Sequence, residues 1–200
     1  MIRSTPQSNS PTEREIYNLF GIYRRSNFAA YDRDFSRLIR GVKLATSNSD
    51  MSTSIGGLEG TVLDLGCGFG SDFMLWLRER EEFIGKMIHM DINPAVFAAE
   101  YEHSDLQYWR FGDTNICGNA ENIPLEDSSV ALVHQQGLFA DLEDLIDSDL
   151  VFKEVYRILQ PNGLYVINDT IPPPNNYFVK LAGDFRYPQG AYRRIALVKE

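Results

Sequence analysis

The sequence predicts an α/β domain with a mostly parallel central sheet, helices on both faces and a helical lid at its N-terminal end. Three observations carry this. Short apolar runs of strand length recur along the second two-thirds of the chain and alternate with segments of helical periodicity. The first run ends in Gly66-Cys67-Gly68-Phe69-Gly70 and a helical pattern follows at once, the strand–turn–helix start of a nucleotide-binding sheet. The chain has 200 residues and is 44% hydrophobic, which suits one sizeable core and leaves little room for a second.

Taken in order, residues 1–11 are polar and read as a disordered N-terminus. Ser10-Pro11-Thr12-Glu13 then reads as a helix start, with Ser10 as cap, Pro11 at the first helical position and Glu13 closing a capping box. Ile16, Phe20 and Tyr23 follow at helical spacing, and a second helix is expected over Ala29–Val42. Residues 12–44 are therefore the expected lid. Residues 45–60, rich in Ser, Thr and Gly, form a linker, and 61–200 form the sheet domain. Its expected strands are Thr61–Leu65, Lys86–Asp91, Val130–His134, Leu164–Asn168 and a late one at Arg193–Lys199. The third strand lies between Leu106 and Cys117, over either Gln107–Phe111 or Asn115–Cys117. Helices are expected at Phe73–Arg80, from Pro94 (capped by Asn93) to about His103, and at Leu150–Leu159. The last of these stops at the turn Gln160-Pro161-Asn162-Gly163. Three prolines, Pro172 to Pro174, forbid helix directly after the fifth strand.

The net charge of −9 argues against a general nucleic-acid binder, because phosphate backbones are held by clustered Lys and Arg. The two cysteines, Cys67 and Cys117, match no zinc spacing and read as reduced thiols of a cytoplasmic protein; no metal is expected. The N-terminus carries no apolar signal region, and no apolar run approaches the ~18 residues of a membrane span. The residues leave the oligomeric state open, a homodimer included.

The glycine turn holds most of the chemistry. Glycines on alternate positions let the backbone turn sharply and approach a ligand with no Cβ in the way. A tight strand-to-helix turn would explain them equally well on their own. The dinucleotide pattern G-x-G-x-x-G, however, needs a glycine where this chain has Ser71. Asp64 stands just before the turn, where it would repel a pyrophosphate and attract an ammonium group. Asp91 ends the next strand about twenty residues on, the place from which a carboxylate accepts hydrogen bonds from both ribose hydroxyls.

Asp64 to Gly70 resembles the first motif of class I S-adenosylmethionine-dependent methyltransferases, which share a Rossmann-like fold. The resemblance continues through Asp91, through Gly118-Asn119-Ala120-Glu121-Asn122-Ile123-Pro124, and through Glu154 to Gly163. It implies S-adenosylmethionine as cofactor and S-adenosylhomocysteine as product. Gly66, Cys67, Gly68 and Gly70 would pass under the cofactor, and Asp64 would help hold its methionine end. Asp91 would bind the ribose, Ile92 would pack on the adenine, and Asn119 and Ala120 would face the adenine edge. Gln135 would sit beside the sulfonium. Tyr31-Asp32 resembles a cofactor-adjacent pair in some members.

The chain departs from the family pattern in several places. Asn119 stands where Asp is common, and an amide oxygen is the weaker acceptor. Ala131 replaces an acid often found entering strand four. Asp141 lies where many members have His, so a catalytic histidine is not available there. His134 and Asp141 are the candidates for acid–base work, against plain alternatives of a strand anchor and a solvated helix residue. For the acceptor, Arg24 and Arg25 of a basic lid would recognise a carboxylate or phosphate, with Tyr23 lining a small-molecule pocket. The competing reading pairs the basic lid with the acidic stretch between Glu100 and Leu150. The expected function is methyl transfer to an unnamed small molecule. The alternatives are a catalytically silent cofactor-binding scaffold, or another transferase on the same fold.

Overall fold

The structure, a computed structural model, describes residues 60–68, 77, 85–97, 114–141, 145–169, 178–186 and 193–199. The expected disordered N-terminus, lid and linker lie outside these residues. So do most of the helix expected at Phe73–Arg80 and the triple proline.

Among the described residues seven strands form one sheet: β1 (Thr61–Leu65), β2 (Lys86–Asp91), β3 (Thr114–Cys117), β4 (Val130–Gln136), β5 (Leu159–Asp169), β6 (Val179–Arg186) and β7 (Arg193–Val198). Their order is β3-β2-β1-β4-β5-β7-β6. The first five run parallel, β7 is antiparallel to β5, and β6 is antiparallel to β7. The parallel sheet and the Rossmann-like arrangement agree with the sequence reading. β1 pairs with β2 on one side and β4 on the other. The strand order therefore reverses at β1, and the crevice above its carboxyl end is where such sheets take ligands.

The central strands are buried on both faces, which explains their continuous apolar runs; Val62, Leu63 and Leu65 are fully sealed. β3 shows the opposite pattern. It is an outer strand with alternating burial, and it settles the open choice in favour of the Asn115–Cys117 segment. That alternation is short and polar, which is why the sequence left it undecided.

Two elements differ from expectation. β5 begins at Leu159 and takes in Gln160-Pro161-Asn162-Gly163. The turn chemistry is used inside the strand, where the β4–β5 register shifts between Val130 and Leu132. Asn162 carries the left-handed backbone (φ 65°), and its N–H donates to the Lys199 carbonyl at 2.9 Å. At Pro94 the chain makes a 3-10 turn over Pro94–Phe97; the rest of the expected helix lies outside the described residues.

Helix α1 (Leu138–Asp141) follows β4, and α2 (Ser148–Ile158) precedes β5. Asp147 caps α2, its side chain accepting from the N–H groups of Asp149 and Leu150. Val151, Phe152, Val155 and Ile158 form one helical stripe and bury against the sheet face carrying Leu63, Leu65, Val133, Tyr165 and Ile167. Phe152 lies at the centre, stacked on Phe139 and edge-on to Tyr165. The aromatic set ties α1, α2 and β5 together directly behind the carboxyl ends of the strands.

Candidate functional site

The turn leaving β1 is held from below. The N–H groups of Gly66 and Cys67 both donate to the Met90 carbonyl, at 2.9 and 3.0 Å. Gly66 has φ +67°, and a Cβ there would lie 3.0 Å from Leu138 Cδ1. Gly68, also left-handed at φ +50°, points its N–H at Asp91 Oδ2, 2.8 Å away. The other carboxylate oxygen of Asp91 accepts from Asn93 N–H at 2.8 Å. Two backbone donors thus fix the plane of a half-buried carboxylate at the end of β2. Each oxygen keeps a lone pair for a further donor. Beside the carboxylate, Ile92 presents an apolar side chain that is 61% exposed, a surface suited to a flat base.

Asp64, His89 and His134 occupy the same level of three adjacent strands. Asp64 is buried, with Oδ1 2.8 Å from His134 Nδ1 and Oδ2 3.6 Å from His89 Nδ1. Burial alone would raise its pKa; the hydrogen bond with His134 and the approach of His89 outweigh it and hold the carboxyl well below the usual carboxylate range. The side chain expected at the methionine end of a ligand is therefore engaged beneath the turn. The effect it can exert on an ammonium group is that of a fixed negative charge under the glycines. His134 is fully buried, and in the structure its ring serves to join β4 to Asp64 of β1.

The Gly118–Pro124 segment is secured to the site and to α2. Gly118 N–H donates to the Asp91 carbonyl at 2.9 Å. Asn119 Oδ1 accepts from Glu121 N–H at 2.9 Å, and its Nδ2 donates to Glu121 Oε2 at 3.1 Å. Ala120 is buried in the core with Ile123, its methyl turned inward. Arg157 of α2 clamps the rest. It donates to the carbonyls of Ile123 and Leu125 and to the carboxylates of Glu154 and Asp127. The hydrogen bonds from Arg157 lower Glu154 and are not offset by its partial burial.

At the end of β4, Gln135 is bound by its own neighbours. Its side chain turns onto the α2 face and is completely buried. Nε2 donates to Asp169 Oδ2 at 2.9 Å, and Oε1 accepts from Tyr165 Oη. Both polar ends are used inside the protein because the pleat sends residues 133, 135 and 165 to one side. Position on a strand was legible in the sequence; the side from which neighbours would satisfy the amide was not.

Of the remaining expected site residues, Cys67 is buried beside the turn and Cys117 is exposed at the end of β3; neither is in a disulfide. Asp141 ends α1. Gly70, Tyr23, Arg24, Arg25 and Tyr31 lie outside the described residues. The sequence reading passed over Leu138, Tyr165, His89 and Asp169. Only Asp169 left a trace, as an acid closing an apolar strand. Among the described residues no cluster of His, Cys, Asp or Glu is placed to hold a metal ion, and no helix is long and apolar enough to cross a membrane.

The comparisons agree with this geometry. The family described as "Methyltransferase domain" matches residues 63–167, from within β1 into β5. A demethylmenaquinone methyltransferase of Oceanobacillus iheyensis is 31% identical over 114 residues, which are 56% of this chain and 45% of that protein. The chain thus spans under half the length of this curated relative. Among solved structures, the PH0226 protein of Pyrococcus horikoshii aligns with a TM-score of 0.57 and 19% identity, over 92% of this chain and 98% of its own. A SAM-dependent methyltransferase of Aquifex aeolicus aligns with a TM-score of 0.54 and 16% identity, over 82% and 91%. These two likenesses concern the fold.

Proposed function

Because this chain belongs to the class I S-adenosylmethionine-dependent methyltransferase family, we propose that it moves the methyl group of S-adenosylmethionine to a small-molecule acceptor. The observation that carries the reading is Asp91, pinned by the Gly68 and Asn93 N–H groups at the end of β2 and turned toward the crevice beside the glycine turn. When bound, the cofactor supplies a sulfonium whose methyl is already activated toward substitution. Held by Asp91, Ile92 and the glycine turn, it would give that methyl to the acceptor's lone pair and leave as the thioether S-adenosylhomocysteine, any acceptor proton passing to solvent.

The protein's part is placement. Asp91 holds the sugar, Ile92 covers the base, Gly66 and Gly68 let the backbone approach, and buried Asp64 lies under the turn as a fixed charge. Holding acceptor and methyl in line can supply several kcal/mol, about 7–11 in favourable cases. A dedicated base is needed only if the acceptor must lose a proton in the transition state. We further propose, from the sequence, that Arg24 and Arg25 recognise the acceptor together with Tyr23, and that Tyr31 contributes to cofactor binding. Charge reversal at Arg24 and Arg25 should then raise the acceptor KM without altering cofactor affinity. A cytoplasmic location fits two cysteines that form no disulfide.

Calorimetry with S-adenosylmethionine, S-adenosylhomocysteine and NAD tests the reading. Binding of the first two and not the third is expected; binding of NAD alone would overturn it. Methyl-labelled cofactor against a metabolite panel then identifies the acceptor. Demethylmenaquinone, named in the curated relative, is one compound to include.

A further inference from the structure

We propose that Asp169 is a positioning residue for the cofactor seat, holding Leu138 of the strand-four turn against Gly66. The inference rests on the reading of that turn as the S-adenosylmethionine site.

Asp169 is the last residue of β5 and is fully buried. Its Oδ2 accepts from Phe139 N–H at 2.8 Å, inside the first turn of α1, and from Gln135 Nε2 at 2.9 Å. The Tyr165 hydroxyl closes the network by donating to Gln135 Oε1. Burial first, and the charge of Asp169 second, push the Tyr165 phenol well above its ordinary pKa, so it remains a donor at neutral pH. One residue before α1, Gly137 N–H donates to the Asn168 carbonyl at 3.1 Å. Leu138 is thus bracketed by two backbone N–H groups, both tied to the end of β5.

The side chain so placed meets the cofactor turn. Leu138 is buried, and its Cδ1 lies 3.0 Å from the point a Gly66 Cβ would take. The path from β5 to the glycine turn therefore runs Asp169, Phe139 N–H, Leu138, Gly66. A single side-chain oxygen suits this work because its two lone pairs accept from Phe139 N–H and Gln135 Nε2 at once. Gln135 and Tyr165 keep its environment polar and fixed.

The test uses the full chain with Asp169→Ala, Asp169→Asn and Leu138→Ala. Two quantities are read: S-adenosylhomocysteine affinity by calorimetry, and hydrogen exchange of the Gly66 and Cys67 amides in the ligand-free protein. Asp169→Ala should weaken affinity on the order of tenfold and speed that exchange, because the donor to Met90 loses its buttress. Leu138→Ala should reproduce both effects with the network intact. Asp169→Asn, whose single carbonyl oxygen can accept from both Phe139 and Gln135, should restore wild-type values. A folded Asp169→Ala chain with wild-type affinity and exchange would overturn the proposal. So would an unaffected Leu138→Ala chain, which decides the matter if Asp169→Ala does not fold. Failure of Asp169→Asn to rescue would also overturn it, by showing that charge and not geometry is at work. If the wild-type chain binds no S-adenosylhomocysteine, the functional reading fails, and the exchange measurement still decides whether Asp169 positions the turn.

Discussion

Asp64 and His134 face one another across the β1–β4 ladder, Oδ1 to Nδ1 2.8 Å, with both side chains closed to solvent. Removing one partner of a buried pair leaves the other uncompensated, which costs about 3–5 kcal/mol. Asp64→Ala should lower unfolding stability by about that amount in denaturant titrations. The pH dependence follows from the depressed carboxyl. Its stabilising contribution is complete above the unfolded value of about 4 and is lost as pH falls through the lower folded value. Wild type should therefore show an acid limb below about pH 4 that is shallower in Asp64→Asn.

His134→Asn separates anchoring from catalysis. The amide of Asn retains a donor for Asp64 but has no basic nitrogen. A general base typically contributes 10²–10⁴-fold. As a strand anchor, His134 should be replaceable by Asn with kcat within about tenfold of wild type. A fall in kcat beyond 10²-fold, in a folded variant with normal cofactor affinity, would return the histidine to the chemistry.

Asp91 is half-buried and bridges two backbone donors, so its removal should affect binding more than folding. Asp91→Ala should weaken S-adenosylhomocysteine affinity at least about tenfold, the worth of one charge-assisted hydrogen bond. The midpoint of thermal unfolding should move little. Equal affinity in calorimetry would remove the ribose assignment.

At Asn119 the structure reverses a simple expectation. Restoring the more usual Asp ought to strengthen the adenine contact, since a carboxylate accepts better than an amide. Yet Nδ2 of Asn119 donates to Glu121 Oε2, and Asn119→Asp would set two carboxylates about 3 Å apart. Asn119→Asp alone should leave cofactor affinity unimproved, and Asn119→Asp combined with Glu121→Gln should raise it. Titration of both variants decides this.

Arg157 joins α2 to the segment that carries Asn119. Arg157→Lys keeps the charge but cannot reach Glu154, Asp127 and two carbonyls with one ammonium. A loss of about 1–3 kcal/mol is expected for the carbonyls left without a donor. Proteolysis within residues 118–127 should accelerate in step.

Four of the five parallel strands, the glycine turn and the acid at the end of β2 were legible in the residues, and β3 was narrowed to two segments. Each is a local event: an apolar run, a backbone that needs glycine, a charged residue at a strand terminus. Even the departures, Ser71 and Asn119, could be read one position at a time. What the residues one by one did not disclose was the partner of each polar side chain. The family resemblance implies a cofactor contact for Gln135, and His134 is a candidate base by its place at the end of a strand; neither reading names the neighbours that strand pairing supplies. That pairing set His134 level with Asp64 and His89 on one face of the sheet, and sent Gln135 to the other face, where Tyr165 and Asp169 satisfy it. Those partners lie 30 to 70 residues apart in the chain. Periodicity states which side of its own strand a residue occupies; only the packed sheet states what is waiting there.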